Sequence, residues 1–151
     1  MIKGPWIHQN IIEAVKNINK QVIWLWPNVD AGSDGTSSGI RYFRENFDLN
    51  HVHFFKNMAP NDFLRLLYNS LGLIGNSSAG IRECCFLGVK AVNIGMRQVG
   101  RERGKNVIDV EYDEKSIENA IKFQINKKRY KKEYLYGKGN TDVTISKLLE
   151  N

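Results

Sequence analysis

Cysteine is scarce in this chain: there are two, Cys84 and Cys85, and they are adjacent. Neighbouring residues rarely reach the separation a relaxed disulfide wants, so a disulfide framework is excluded. Both thiols are expected to be reduced and buried, in a cytoplasmic protein. Long apolar runs are missing too, since no stretch approaches the roughly 18 residues needed to span a bilayer. Met1-Ile2-Lys3-Gly4-Pro5 is followed by neither the apolar core nor the cleavage site of a signal peptide. No internal repeat, low-complexity tract or interdomain linker is visible. Histidine is limited to three residues. His51 and His53 fall in or beside a strand and His8 in an N-terminal helix, unpaired with the carboxylates or cysteines of a metal or nucleophile site. Zinc spacing, a Walker loop and a Gly-x-Ser-x-Gly elbow are absent. No metal, cofactor or catalytic dyad is expected.

What is present is a globular composition: 151 residues, 42% hydrophobic and 11% aromatic. A chain of this length buries about 68–70% of its unfolded surface without staples. One domain spanning 1–151 is therefore expected. The formal charge of +6 fits a nucleic-acid partner or an anionic small molecule. Much of the excess is late, in Lys127-Lys128-Arg129 and Lys131-Lys132, where it is expected at a helix end, complementing the dipole and keeping the surface soluble. No RNA-binding aromatic signature or helix-turn-helix pattern accompanies it.

Short apolar segments alternate with amphipathic ones. Strands are expected at 21–26, a continuous apolar run covered on both faces, at 51–55, nearer an edge, and at 71–75, 91–95 and 106–110. Helices are marked by Ile11, Ile12, Val15 and Ile18; by Phe63, Leu64 and Leu67 after Pro60-Asn61-Asp62; by Ile81, Cys84 and Cys85, ended by Gly88; by Ile117, Ala120, Ile121 and Phe123; and by Val143, Ile145, Leu148 and Leu149. This alternation argues for an α/β, Rossmann-like parallel sheet with helices on both faces.

In open parallel sheets ligands bind beyond the carboxyl ends of the strands. That selects the loops 27–33, 75–80 and 95–101. In the second, Ser77 and Ser78 offer hydroxyl donors at a helix start whose free N–H groups suit an anion, and Ala79 and Gly80 would let a phosphate approach; one serine could equally be a helix cap. Glu83, about one turn inside that helix, could accept both hydroxyls of a ribose or simply face solvent. Arg97 follows a strand directly, and its rigid guanidinium suits a diphosphate or a uracil carbonyl. Arg101 and Arg103 add positive charge nearby. From the residues alone, this is a nucleotide- or phosphate-binding domain without a visible reaction centre.

The block from Ile74 through Gly75-Asn76-Ser77-Ser78-Ala79-Gly80-Ile81-Arg82-Glu83, Leu87-Gly88 and Met96-Arg97-Gln98-Val99-Gly100-Arg101-Glu102 to Asn106-Val107 resembles the UDP-N-acetylglucosamine 2-epimerase family. The Arg-Gln-x-Gly-Arg-Glu run, the loop Pro27 to Ser33 and Tyr136-Gly137-Lys138-Gly139-Asn140 look like its hydrolysing branch, which makes N-acetylmannosamine for sialic acid synthesis. The likeness runs from about Ile11 to the end. It implies that Ser77 and Ser78 bind the UDP phosphates, Glu83 the ribose and Arg97 the phosphate side of the site. It further implies that Asn28 faces the sugar-diphosphate cleft and that the backbone near Met58 meets the uracil. The implied partner is UDP or UDP-N-acetylglucosamine, with no nucleic acid and no membrane.

The resemblance also implies a two-domain GT-B fold, of which this chain corresponds to the C-terminal half without that half's first strand. The N-terminal carboxylates that would move the C2 proton are absent, so the chain alone is expected to be inactive. Lys138 stands where an acidic residue is usual. Arg41 and Arg44 lie near the place of a regulatory arginine pair, and that role is not carried over. Loss of a central strand leaves edges that could recruit a second copy, an N-terminal segment, or each other. The UDP-binding half of a GT-B glycosyltransferase and a non-catalytic nucleotide-binding module are the competing readings.

Overall fold

A computed structural model describes residues 6–16, 18–25, 45 and 50–150. Asn28, the loop around it, Arg41 and Arg44 lie outside the described residues. In chain order the elements are α1 (Trp6–Lys16), β1 (Val22–Leu25), β2 (Val52–Phe55), α2 (Pro60–Asn69), β3 (Leu73–Gly75), α3 (Glu83–Leu87), β4 (Ala91–Ile94), β5 (Val107–Val110), α4 (Glu114–Asn126) and α5 (Thr141–Leu149).

All strand pairs among the described residues are parallel. β1 pairs with β2, from Val22 with Val52 to Leu25 with Phe55. A second sheet has the order β3-β4-β5, with Ile74 opposite Val92 and Val92 opposite Ile108. The period-2 alternation of strands sorts its side chains to two faces. Ile74, Val92, Ile94, Ile108 and Val110 meet Ala14 of α1 and Ile117, Ala120 and Ile121 of α4. Leu73, Ala91 and Val107 meet Phe63 and Leu67 of α2 and Cys84 of α3. Helices therefore cover both faces, and all four β4 residues are buried.

Local signals explain the element ends. Pro60 opens α2, where its missing N–H costs nothing. Gly88 closes α3 at φ +67°, and a Cβ there would collide with the Tyr130 carbonyl. The Asp113 side chain accepts from the Ser116 N–H and starts α4. At the amino ends of the strands, buried Gln124 donates to the Ala91 and Asn106 carbonyls, while Asn106 donates to Gly80 and Val89. The Asn106 carbonyl also accepts from the Ala91 N–H, so Gln124 adds a second bond to it and ties α4 to the strand ends.

Three expectations need correction. β1 is not covered on both faces: Val22, Trp24 and Leu25 are half-buried and Ile23 is 39% exposed. Among the described residues it pairs with one strand, β2, and no helix shares a core cluster with its side chains. The apolar face of α5 is uncovered as well, with Val143, Ile145, Leu148 and Leu149 all exposed among the described residues. The basic cluster meets the helix end only at its first residue: Lys127 is the C-cap of α4, whose last turn holds no basic residue, and Lys128 to Lys132 follow the helix. Its cations lie instead over aromatic faces: Lys127 over Phe123 at 4.3 Å, Arg129 over Tyr68 at 4.2 Å and Lys132 over Phe86 at 5.5 Å.

Candidate functional site

The loop leaving β3 begins at Gly75 and turns at Ser77 into a single 3-10 turn, Ser78–Gly80. The Ser77 hydroxyl oxygen accepts from the Ala79 N–H at 3.3 Å, so this serine is the cap of that turn. The N–H groups of Gly80, Ile81 and Arg82 donate back to the Ser77 and Ser78 carbonyls. Among the described residues, the N–H groups of Ser77 and Ser78 donate to no protein acceptor. The anion-ready donors at the loop's entrance are thus two amides and two hydroxyls.

Ala79 and Gly80 pack against the sheet. Both are buried. A Cβ on Gly80 would make ordinary contacts with Ala91 Cβ at 3.4 Å and Leu73 Cδ2 at 3.6 Å, so this turn lies directly against β3 and β4. Glu83 is shifted. It is the first residue of α3 rather than one turn inside it, because the 3-10 turn delays the helix. Its Oε2 is buried and has no hydrogen-bond partner. An unsatisfied carboxylate oxygen out of water costs about 1–3 kcal/mol or more, and a pair of ligand hydroxyls would remove that cost.

Behind Glu83 are the two cysteines, both free and buried. Burial pushes the Cys84 thiol up to about 12, with the Glu83 carboxylate adding to the effect. Burial, then Glu133, raises Cys85 as well. Neither is a thiolate nucleophile near neutral pH.

Arg97 is exposed on the turn after β4. That turn starts at Gly95, where φ is +75° and the Tyr112 ring occupies the place of a Cβ. Immediately after Arg97, Gln98 is buried and its Nε2 donates to the Asn76 carbonyl at 2.7 Å. Gln98 is the residue that residue-level reasoning missed. It holds the Arg97 turn against the Ser77 loop, and a buried glutamine in a surface-like motif gives no periodic signal. Arg103 supports it from behind: Nη2 donates to the Gln98 carbonyl at 3.0 Å and Nε pairs with Asp109 Oδ2 at 2.6 Å. Asp109 also accepts from Asn93 Nδ2 at 2.6 Å. Arg103 is therefore part of the scaffold rather than a free cation.

Ser77, Ser78 and Arg97 thus belong to two adjoining loops joined through Gln98, with Glu83 opening the helix that follows the first loop. Met58 is on the loop after β2, in the other sheet, where its N–H donates to the Asn57 side chain at 2.8 Å. No hydrogen bond links that loop to the Ser77 loop among the described residues. The described residues also contain no cluster of three or more His, Cys, Asp or Glu that could hold a metal, and no helix long and apolar enough to cross a membrane.

Comparisons with known proteins add lineage to this geometry. The chain is 34% identical over 142 residues to the hydrolysing UDP-N,N'-diacetylbacillosamine 2-epimerase of Legionella pneumophila, covering 94% of this chain and 37% of that protein. It is 36% identical over 106 residues to the polysialic acid biosynthesis protein P7 of Escherichia coli, covering 70% of this chain and 26% of that protein. Among solved structures it is similar to the Methanocaldococcus jannaschii UDP-GlcNAc 2-epimerase crystallised with UDP-GlcNAc and UDP. There the TM-score is 0.72 at 18% identity, over 96% of this chain and 40% of that one. The chain thus spans well under half the length of the relatives it matches. The family model for UDP-N-acetylglucosamine 2-epimerase matches residues 2–150, and the chain belongs to that family.

Proposed function

We propose that this chain, as one domain, is the UDP-binding part of a hydrolysing UDP-sugar 2-epimerase. Ser77 and Ser78, with their hydroxyls and N–H groups, take the diphosphate. Glu83 takes the ribose hydroxyls, and Arg97 closes the phosphate side. Asn28 faces the sugar-diphosphate cleft, and the backbone at Met58 meets the uracil. The observation that carries this reading is the buried, partnerless Glu83 Oε2 beside a loop with two free amides. The described site holds an acceptor awaiting hydroxyls next to donors awaiting an anion, which is the polarity of a nucleoside diphosphate.

In the intact protein the reaction is loss of the C2 proton with departure of UDP, followed by addition of water to the resulting glycal. Departure places negative charge on the diphosphate, and preorganised donors at Ser77, Ser78 and Arg97 stabilise it. Proton abstraction needs a positioned base near its working pKa, and no residue of this site fills that role. The chain alone is therefore inactive, and it works with an N-terminal half or as an oligomer. Its two buried thiols fit the reducing cytoplasm.

Calorimetric titration with UDP and UMP tests the reading, on the chain and on Glu83→Gln and Arg97→Ala. Saturable UDP binding, weaker for UMP and reduced about 10- to 100-fold by Glu83→Gln, is expected from the loss of a charged acceptor. No binding at millimolar UDP by a chain shown to be folded would overturn it. So would a Glu83→Gln variant of unchanged affinity. Adding the N-terminal half of the Legionella relative should then restore release of UDP from UDP-sugars.

A further inference from the structure

A cavity of about 780 Å³, wide open to solvent, lies beside the nucleotide loops, lined by the exposed residues Arg82, Gly100, Arg101, Glu102 and Tyr136. None of Ser77, Ser78, Glu83 or Arg97 is among its described lining residues. Its volume is in the range of small-molecule sites. The geometry points to a second binding site here, for a small hydroxylated molecule carrying a phosphate or carboxylate group, separate from the nucleotide.

The charge pattern carries this assignment. Among the described residues, neither the Arg82 nor the Arg101 guanidinium has an ion-pair or hydrogen-bond partner, whereas Arg103 close by is fully engaged by Asp109 and the Gln98 carbonyl. Two rigid forks opening into one cavity suit an oxyanion, which each can hold in bidentate fashion. Glu102 adds a carboxylate to the same wall. That group repels the oxyanion but accepts hydroxyls, so the matching ligand carries both kinds of group.

The walls are fixed before any ligand arrives. Tyr136 O–H donates to the Glu102 carbonyl at 2.7 Å and ties the 134–137 turn to the loop. That turn is anchored in its own right, with Tyr134 packed edge-on against Phe86 at 5.6 Å and Glu133 N–H donating to the Cys85 carbonyl. On the other side, Arg101 N–H donates to the Gln98 carbonyl. The backbone is thus set beforehand, and only the Arg82, Arg101 and Glu102 side chains remain to be ordered on binding, which limits its entropic cost.

The test is amide correlation spectroscopy of the chain, titrated with glucose 6-phosphate and with gluconate as the two anion arms and with glucose as the neutral control. Each titration is run with and without saturating UDP. Saturable shifts at Arg82 and Gly100 to Glu102 are expected from at least one anion, none from glucose, and no displacement by UDP. Arg82→Ala with Arg101→Ala should weaken binding at least tenfold, and the single charge reversal Arg101→Glu should do the same. Both changes are at exposed side chains, and the remaining resonances of the same spectra report that the chain is folded. The assignment fails if neither anion moves those amides, if glucose moves them equally, if UDP displaces the anion, or if both variants bind unchanged. A chain that binds the anion without binding UDP keeps this site and loses the nucleotide reading, so the two failures are distinct.

Discussion

The β3-β4-β5 sheet and the β1-β2 pair are built from similar sequence and have unequal surroundings. Ala91-Val92-Asn93-Ile94 and Val22-Ile23-Trp24-Leu25 are both short, apolar and parallel-paired. The first is buried at every residue because it has a strand on each side and a helical layer on each face. The second has one strand neighbour among the described residues and is half-exposed. Apolar composition therefore permits burial, while neighbours deliver it. The candidate nucleotide loops spring from the well-supported sheet, whose rigidity is what positions donors to within the tolerance of a hydrogen bond.

The largest test of this contrast is truncation. Ile94→Ala, at a fully buried residue, should cost about 2–5 kcal/mol in urea unfolding. Ile23→Ala in β1, 39% exposed, should cost under about 1 kcal/mol; equal losses would break the comparison. Next comes Gly95→Ala, which combines a left-handed backbone with a clash on the Tyr112 ring and should cost more than about 1 kcal/mol. In a Tyr112→Ala background the penalty should shrink, leaving the backbone share. Gln98→Ala sharpens the link from scaffold to site. Losing the bond to the Asn76 carbonyl should weaken UDP binding about tenfold, roughly the worth of one buried hydrogen bond. It should do so without moving the β4 amides in spectra.

Hydrogen exchange reads the same contrast without mutation: β4 amides should exchange only by global unfolding, and β1 amides faster, through local opening. The smallest effect is at Asp113. Hydrogen bonds from Ser116, first its hydroxyl and then its N–H, hold this carboxyl below its ordinary 3.8. The folded value is the lower one, so the stabilisation is complete above about pH 4 and is lost as pH falls through the folded value. Asp113→Asn should therefore differ from the parent near neutrality and converge with it in acid.

Much of the fold was legible along the chain. Each strand was marked by an apolar run and each helix by its 3.6-residue spacing, and Gly88 and Pro60 punctuate the helices they were expected to bound. The site was legible as loops, because parallel sheets put ligands at strand ends. The support for those loops was not. Gln98 and Arg103 sit in a motif that looks like surface, and Glu83's buried oxygen depends on what packs over it. The basic cluster misled because charge says nothing about which aromatic faces lie within reach.

Sequence by itself determined the element order, the punctuation of the helices, the family and the residue types offered at the strand ends, all of which depend on neighbours within a few positions or on motif spacing. Only the tertiary structure decided which apolar strand is covered, which arginines are paired and which carboxylate oxygen is left without a partner. Those depend on contacts between residues distant along the chain, such as Arg103 with Gln98 and Asp109, or Gln124 with Ala91 and Asn106. Burial and pairing are properties of an environment, and that environment exists only once the chain has packed.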